Sequence, residues 1–246
     1  MFEITLSIKA DAQNYFCDIY KRLYGEVKKD SGILIKQNYR GRCFLAFALR
    51  EEKKEYYKAK ILDEVVMIVI DYYKYEYFKE CLMTGVNDFL TYPFLKAISV
   101  FDAEFDKEII KKDIEFSGEI LIDSLYHFKL QPLKNRWRKT VEIINQNHIL
   151  SSKNSMIEVI KYLTEVSDSL VMQTEIQICP KQIKMKNFCS SKCFKRDFEG
   201  SSRFLTEIIK LNPHKINLKC HSTIDDNDEI YFTLTKIFDD KIYVLS

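Results

Sequence analysis

At 246 residues, of which 46% are hydrophobic and 30% charged, the chain has enough apolar material for one large or two small hydrophobic cores, so global disorder is excluded. The 38 Lys and Arg residues nearly balance 36 Asp and Glu residues, and a net charge of +2 is low for a protein that coats polyanions. Any nucleic-acid binding must therefore depend on a local basic patch. The longest apolar run, Val65 to Ile70, is far shorter than the roughly 20 residues that cross a bilayer, so no membrane span is predicted.

The first 80 residues alternate between strand and helix patterns. In order, they predict a strand, a helix, two strands of a hairpin and a second helix, over residues 2–8, 11–27, 33–36, 43–49 and 54–79. Arg40-Gly41 separates the two hairpin strands and suits a tight turn. The second helix carries a group of aromatic residues between Tyr72 and Phe78, for which ordinary packing and a base-stacking surface are the two interpretations.

The middle of the chain has helical periodicity. Apolar residues recur at the spacing of one helix face at Leu130, Leu133, Trp137, Val141 and Ile144, which predicts an amphipathic helix of about four turns. The pattern Ser155-x-x-Glu158 is typical of a capping box and predicts the start of a further helix.

The last 80 residues return to strand patterns. Two strands are predicted over 170–178 and 183–188, followed by a polar loop that contains cysteines. The remaining elements are a short helix, the alternating strand KINLKC, a helix and a closing strand. They cover residues 204–209, 215–220, a range from Asp226 or Asp228 to 238, and 241–245. The order ββαβαβ requires at least one parallel pair of strands and therefore a small mixed sheet with helices.

We therefore predict an α+β fold with three regions. These are an N-terminal βαββα unit over residues 1–80, a central helical region over 81–167, and a C-terminal α/β lobe with a small mixed sheet (ββαβαβ) and helices over 168–246.

Two segments are rich in basic residues and contain no acidic residue, and they are the candidate nucleic-acid contacts. The first, 129–139, contributes Lys129, Lys134, Arg136, Arg138 and Lys139, and the second, 181–196, contributes Lys184, Lys186, Lys195 and Arg196. Clustered cations bind phosphates, and an exposed aromatic ring would strengthen the site. Trp137, however, lies on the apolar stripe of its helix, so we expect this ring to fill the core while the charges form a solvated face.

The cysteines give the sharpest local pattern. Cys189 and Cys193 have C-x₃-C spacing, and Cys220 and His221 follow downstream, which makes these four residues a weak zinc candidate. Adjacent residues on a strand point to opposite sides, so Cys220 and His221 would rarely reach the same ion. Free thiols are the preferred interpretation, and no metal or other cofactor is predicted. Seven cysteines scattered over a long chain whose start lacks the basic region of a signal peptide predict a reduced, cytoplasmic protein.

The segment FKLQPLKNRWRKTVEIINQ, followed by SMIEVIKYLTEV, resembles the helical middle of the YtxC-like sporulation proteins of spore-forming Firmicutes. The tail LTEIIKLNPHKINLKC…TLTKIFDDKIYVLS resembles the closing segment of the same family. The resemblance implies a cytoplasmic protein of sporulating bacteria without an established enzymatic activity, and it implies no site residues.

Three functions remain open at this point, and of these a thiol- or zinc-dependent activity ranks last. The leading hypothesis is a non-enzymatic protein that acts in sporulation through contacts with an unidentified protein partner, because no nucleophile, acid–base pair or phosphate-binding loop is recognisable and no catalytic residue is predicted. The alternative is a nucleic-acid-binding module that uses segments 129–139 and 181–196.

Overall fold

The computed structural model describes residues 1–82, 89–114, 116, 118–179, 182–189, 192–198, 200–220 and 228–245. The chain divides into two compact units, residues 1–77 with 103–140 (unit 1) and residues 78–102 with 141–246 (unit 2). Each unit contains one β-sheet, and the region 81–167 contributes helices to both. The α+β class of the prediction is confirmed.

Sheet A belongs to unit 1 and has the strand order β2-β3-β1-β4. Its strands are β1 (Phe2–Lys9), β2 (Ile33–Tyr39), β3 (Arg42–Leu49) and β4 (Glu119–Leu121). Strand β3 is antiparallel to both β1 and β2, whereas β4 is parallel to β1. The predicted hairpin is present, and Arg40 and Gly41 both have positive φ angles of 46° and 74°, as a type I′ turn requires. Strand β4 was not predicted.

Some helices lie wholly in unit 1, namely α1 (Gln13–Lys29), α2 (Lys54–Ile68), α5 (Ala103–Asp113) and the single turn α6 (Ile122–Ser124). Helices α3 (Tyr75–Leu82) and α7 (Gln131–Gln146) begin in unit 1 and continue into unit 2. Two π-helical segments, Val69–Lys74 and Leu125–Lys129, connect α2 to α3 and precede α7. The predicted helix 54–79 is therefore continuous but contains a π segment in its second half.

Helix α1 packs against one face of sheet A. The apolar stripe of α1 and the apolar positions of β1 and β3 are all buried, namely Phe16, Ile19, Leu23, Val27, Ile4, Leu6, Ile8, Leu45 and Phe47. Gly32 lies where α1 turns into β2, and a Cβ atom there would approach Leu49 Cδ2 and Val27 Cγ1 to 2.9 Å. Glycine at this position therefore allows the hairpin to lie close under the helix.

Sheet B belongs to unit 2 and has the order β7-β6-β5-β8-β9. Its strands are β5 (Gln173–Cys179), β6 (Gln182–Cys189), β7 (Lys192–Phe198), β8 (Lys215–Cys220) and β9 (Ile242–Val244). Strands β5, β6 and β7 form an antiparallel meander, and β8 and β9 extend the sheet in parallel. The mixed sheet of the prediction is confirmed, but β7 occupies part of the segment that was predicted to be a polar loop.

The helices of unit 2 include α4 (Thr91–Val100), α8 (Lys153–Val166), α9 (Ser201–Leu211) and α10 (Asp228–Ile237). Alternate residues of sheet B are buried on the helix side, including Ile176, Ile178, Ile183, Met185, Ile216 and Leu218. The rings of Phe198 in β7 and Phe204 in α9 meet edge to face, with their centroids 5.7 Å apart. On the opposite face of sheet B, the described side chains are mostly polar and are exposed or half-buried.

The start of α8 differs from the prediction. Ser152 is the N-cap residue, and its side chain accepts a hydrogen bond from the Ser155 backbone N–H at 3.4 Å. Ser155 and Glu158 therefore lie inside the helix instead of forming its cap.

Candidate functional site

The first basic segment lies on α7 and the residues just before it. Four of the five residues of the apolar stripe are buried, Val141 is half-buried, and Trp137 is only 3% exposed. Trp137 therefore offers no exposed surface for stacking of bases. Lys129, Arg138 and Lys139 are exposed, whereas Lys134 and Arg136 are half-buried.

Both half-buried cations of this segment lie over aromatic rings of the same unit. Lys134 Nζ is 4.7 Å from the centroid of the Tyr126 ring, and the Arg136 guanidinium carbon is 3.7 Å from that of Phe105. These contacts hold the two cations against the surface. The segment 129–139 therefore does not present its five basic residues as one set of outward charges.

Aromatic residues in the second half of the predicted helix 54–79 also pack against other rings of unit 1. The rings of Tyr73 and Tyr126 are stacked with their centroids 4.5 Å apart, and Tyr73 is 8% exposed. The Tyr77 ring contacts that of Trp137 at 5.7 Å. Tyr73 and Trp137 thus lie in the interior of unit 1, which favours the packing interpretation over a base-stacking surface.

The second basic segment lies on β6 and β7, where alternate residues point to opposite faces of sheet B. Lys184, Lys186 and Lys195 lie on the polar face of sheet B, since Lys186 and Lys195 are register partners and Lys184 is two residues from Lys186. Arg196 pairs in register with the buried Met185 and points to the helix side, where it forms an ion pair with Glu207 of α9. Of the four predicted residues, three share a face and one does not.

Two further lysines complete this face. We call it the lysine face of sheet B and define it by Lys184, Lys186, Lys195, Lys215 and Lys219. Lys215 and Lys219 lie on β8, and they pair in register with residues of β5 whose side chains share the same face. The sequence prediction missed both of them because a helix separates β8 from the basic segment. The alternation of KINLKC was the available signal, because it places its lysines opposite the apolar residues.

One row of residues crosses this face from strand to strand. In register it runs Lys195, Lys186, Glu175, Asn217 and Tyr243. Glu175 Oε2 is 3.8 Å from Lys186 Nζ. Tyr243 is half exposed at 51%, so its ring is accessible at the β9 edge of the row.

A second row contains Asp197, Lys184, Gln177 and Lys219. Asp197 and Lys184 are cross-strand neighbours of opposite charge. Among the residues whose side chains are described, the five lysines of the face are accompanied by two carboxylates, Glu175 and Asp197, which leaves a net charge of +3.

The side chains of the four zinc-candidate residues are not among those that the structure describes. The structure describes the backbone of Cys189, Cys193 and Cys220 but not their side chains, and His221 lies outside the described residues altogether. Ile178 pairs in register with both Ile183 and Cys220, and Cys189 lies six residues beyond Ile183 along β6. At about 3.3 Å per residue, Cys189 and Cys220 are therefore about 20 Å apart, at opposite ends of sheet B. This separation argues against one ion that is bound by both cysteine positions.

No other metal site emerges from the described side chains, among which no group of three or more His, Cys, Asp or Glu is placed to bind an ion. Within the same described residues, no helix has the length and apolar character needed to cross a membrane.

Unit 1 also has an exposed sheet face. On the side of sheet A opposite α1, β2 presents Ile33, Ile35 and Tyr39, which are 57%, 54% and 54% exposed. Beside them, β3 contributes Phe44, Ala46 and Ala48, all half-buried, through the register pairs Ile35–Ala46 and Ile33–Ala48. We call these six residues the open face of sheet A. These six side chains are apolar, with the exposed Gln37 beside them, and the two alanines leave the face shallow.

The hairpin that carries this open face is positively charged. Residues 31–50 contain Lys36, Arg40, Arg42 and Arg50 and no acidic residue. Arg42 is neutralised by Asp123, whose Oδ1 is 2.5 Å from Arg42 Nη2. Arg40 lies at the hairpin turn, with its guanidinium carbon 5.0 Å from the centroid of the Tyr39 ring.

Comparison of the chain with protein-family models, with curated proteins and with solved structures finds no match. The function proposed below is therefore argued from the two sheet faces and from the sequence.

Proposed function

We propose that this chain is a non-enzymatic, cytoplasmic sporulation protein that acts by binding another protein, and that the open face of sheet A with the edge of β2 is the binding surface. The observation that carries the proposal is the exposure of Ile33 and Ile35, each more than half exposed, on a strand at the end of a sheet. The YtxC resemblance of the sequence supports the sporulation part of the proposal.

An edge strand offers unpaired backbone groups to an incoming strand. In the part of the chain that the structure describes, β2 pairs with β3 on one side and with no strand on the other. Proteins usually protect such edges with charge, and β2 has one charged residue, Lys36. An extended peptide that adds to this edge would gain main-chain hydrogen bonds, and its alternate side chains would contact Ile33 and Ile35.

The charge of the hairpin specifies the chemistry of the partner. The charged side chains of residues 31–50 are all basic, so an acidic segment would be attracted and a basic one repelled. We therefore propose an extended, acidic segment of a partner protein with apolar residues at alternate positions. It would place the apolar residues on the open face and its carboxylates near Lys36 and Arg40.

The test compares Ile35→Lys with Ile143→Lys. The two isoleucines are 54% and 56% exposed, but Ile143 belongs to α7 and not to sheet A, so the control introduces the same charge at a site of similar exposure. Each variant and the unmodified chain are used for affinity capture from nuclease-treated lysates of sporulating cells. We expect one acidic protein to be retained by the unmodified chain and by Ile143→Lys and lost with Ile35→Lys.

Hydrogen–deuterium exchange then locates the contact with the purified partner. Binding through the edge should protect those amides of 33–39 that point away from β3, since these become hydrogen-bonded to the added strand. Equal capture by all three proteins, or protection outside the hairpin only, would refute the proposed surface. A concentration-dependent dimer that Ile35→Lys abolishes would instead identify a second copy of this chain as the occupant.

A further inference from the structure

We infer that the lysine face of sheet B is a binding site for single-stranded nucleic acid. This site lies in unit 2 and does not depend on the function proposed for sheet A. The inference rests on three properties of the face: its charge, the small share of large apolar groups among its described side chains, and the polar and aromatic groups between its lysines.

The charge of the face is distributed over three of the strands of sheet B, with β5 between β6 and β8. Lysines stand on β6, β7 and β8, and Lys184 and Lys219 occupy one row with a single strand between them, a separation of about 10 Å at 4.8 Å per strand. Four of the five lysines are exposed and Lys186 is half-buried. A chain of phosphates that crosses the strands can contact several of these ammonium groups in turn.

One contact within the face is unfavourable in the unbound protein. Lys186 and Lys195 are register partners on adjacent antiparallel strands, and like charges at such positions repel. The Glu175 carboxylate lies beside Lys186 and offsets part of this repulsion. A phosphate bound near the pair would lower the repulsion between the two ammonium groups.

The uncharged groups of the face suit bases better than a protein surface. Gln173, Gln177 and Asn217 lie between the lysines, and their amides can both donate and accept hydrogen bonds with base edges. Tyr243 supplies an accessible ring for stacking, although Lys215 Nζ lies 4.4 Å from its centroid. Protein interfaces generally have an apolar centre, and among the described side chains of this face the only large aromatic or aliphatic one is that of Tyr243.

Single strands fit this face better than a duplex. An open sheet is broad and shallow, whereas the grooves of a duplex accept a protruding helix or ribbon. Splayed bases can lie on a sheet while their phosphates contact lysines at its sides. The class of ligand is therefore single-stranded RNA or DNA, and the titration with both identifies which.

The experiment uses fluorescence anisotropy with labelled 15-nucleotide RNA, the same DNA sequence and its duplex, between 50 and 200 mM KCl. Each phosphate neutralised by a lysine adds about 0.7 to the slope of log K against log [KCl] for single strands, so contacts with three lysines give a slope of about −2. We expect the affinity for a single strand to fall about 20-fold over this range and to exceed the affinity for the duplex.

The decisive variants are two charge-matched pairs. Lys186→Gln with Lys195→Gln removes two charges from the lysine face, whereas Arg196→Gln with Arg203→Gln removes two exposed charges from the helix side of the same unit. We expect the first pair to make the salt slope shallower by about 1.4 and the second to leave it unchanged. Tyr243→Leu should weaken binding at least fivefold, since loss of base stacking on one ring typically has about this effect or more.

A stability measurement separates loss of binding from loss of folding. Removal of the like-charge pair by Lys195→Gln should leave the melting temperature (Tm) of the unbound protein unchanged or raise it by about 1–3 °C. A Tm lowered by several degrees would contradict the unfavourable Lys186–Lys195 contact. The inference as a whole is overturned by absence of binding at 50 mM KCl, by equal effects of the two double variants, or by binding to phosphatidylserine vesicles without binding to single strands.

Discussion

Lys74 and Asp106 form an ion pair inside unit 1, with Lys74 Nζ 2.7 Å from Asp106 Oδ2 and side-chain exposures of 3% and 2%. Lys74 lies in the π segment that follows α2, and Asp106 lies in α5. The same carboxylate oxygen accepts a hydrogen bond from Trp137 Nε1 at 3.3 Å. Asp106 thus connects three helical segments of unit 1, and a buried carboxylate requires such partners.

Asp106→Asn should therefore destabilise the protein strongly. It removes the charge that neutralises a buried ammonium group, and breaking a buried ion pair on one side typically lowers the free energy of unfolding by about 3–5 kcal/mol. The measurement is urea-induced unfolding at pH 7. Asp18→Asn is the control, because its ion pair with Lys21 is exposed and such pairs contribute about 0–1 kcal/mol.

The paired variant Lys74→Met with Asp106→Leu gives a second check. Replacing both charges by apolar side chains of similar size removes the need for mutual neutralisation, so this double variant should be more stable than Asp106→Asn alone. If Asp106→Asn were no more damaging than Asp18→Asn, the ion pair could not be holding the π segment to α5.

The sequence predicted the larger elements because their signals are local. The alternation in residues 2–8, the stripe of α1 and the stripe of α7 each lie within one segment, and all three were found. Strand β4 was missed because it has three residues and depends on parallel pairing with β1, which is more than 100 residues away. Strand β7 was missed because KCFKRDF is largely polar, as an edge strand with one neighbour can be.

The candidate site was predictable only in part for a related reason. Basic residues close in sequence were visible, but which of them share a face depends on strand register. Register placed Lys195 beside Lys186, sent Arg196 to the helix side and added Lys219 from a different strand. The buried Lys74 was hidden for another reason: a lysine between tyrosines gives no local sign that a carboxylate 32 positions later will neutralise it.

The ion pair between Arg42 and Asp123 should make the stability of the protein depend on acid pH. Arg42 Nη1 donates to Asp123 Oδ2 at 3.1 Å, and Arg42 Nε donates to Ser7 Oγ at 2.7 Å. Burial opposes ionisation of Asp123, but the hydrogen bonds and charge of Arg42 outweigh it and hold the pKa of this carboxyl below its usual range. The folded state therefore binds a proton at Asp123 less readily than the unfolded state does.

Because of that difference, the protein should become less stable as the pH falls into the acid range. The stabilisation is complete above the unfolded pKa of about 3.9 and is lost as the pH falls through the lower pKa of the folded state. Asp123→Asn should lower the free energy of unfolding by about 1.5–3 kcal/mol at pH 7, the range for hydrogen bonds to charged groups. Below pH 4 the difference between this variant and the unmodified chain should shrink. A difference that stays constant from pH 7 to pH 3 would contradict the role of the ionised carboxylate.

Asn212 connects the ends of two helices in unit 2. Substitution of Asn212 should show how much its side chain contributes to the free energy of unfolding. It follows α9 with a φ angle of 39°, in the left-handed region that asparagine tolerates better than most residues. Its Nδ2 donates to the carbonyl oxygens of Thr164 and Ser167 at 2.8 and 2.9 Å, at the end of α8, and its Oδ1 accepts from Lys241 Nζ at 2.8 Å. The side chain is buried, so water cannot replace these bonds.

Two substitutions at this position separate the contribution of the backbone conformation to stability from that of the side-chain hydrogen bonds. Asn212→Gly keeps the left-handed conformation without strain but removes the side-chain hydrogen bonds, so it should lower the free energy of unfolding by about 2–3 kcal/mol, or about 1 kcal/mol for each bond lost. Asn212→Ala loses the same bonds and, relative to Asn212→Gly, adds strain of about 1–2 kcal/mol, since glycine lacks the Cβ that is strained in this region. Urea unfolding of both variants at pH 7 measures the two contributions, and the difference between them is the conformational part. If Asn212→Gly were as stable as the unmodified chain, the connection between α8 and α9 would depend on apolar packing alone, because the bonds to Thr164 and Ser167 would contribute nothing.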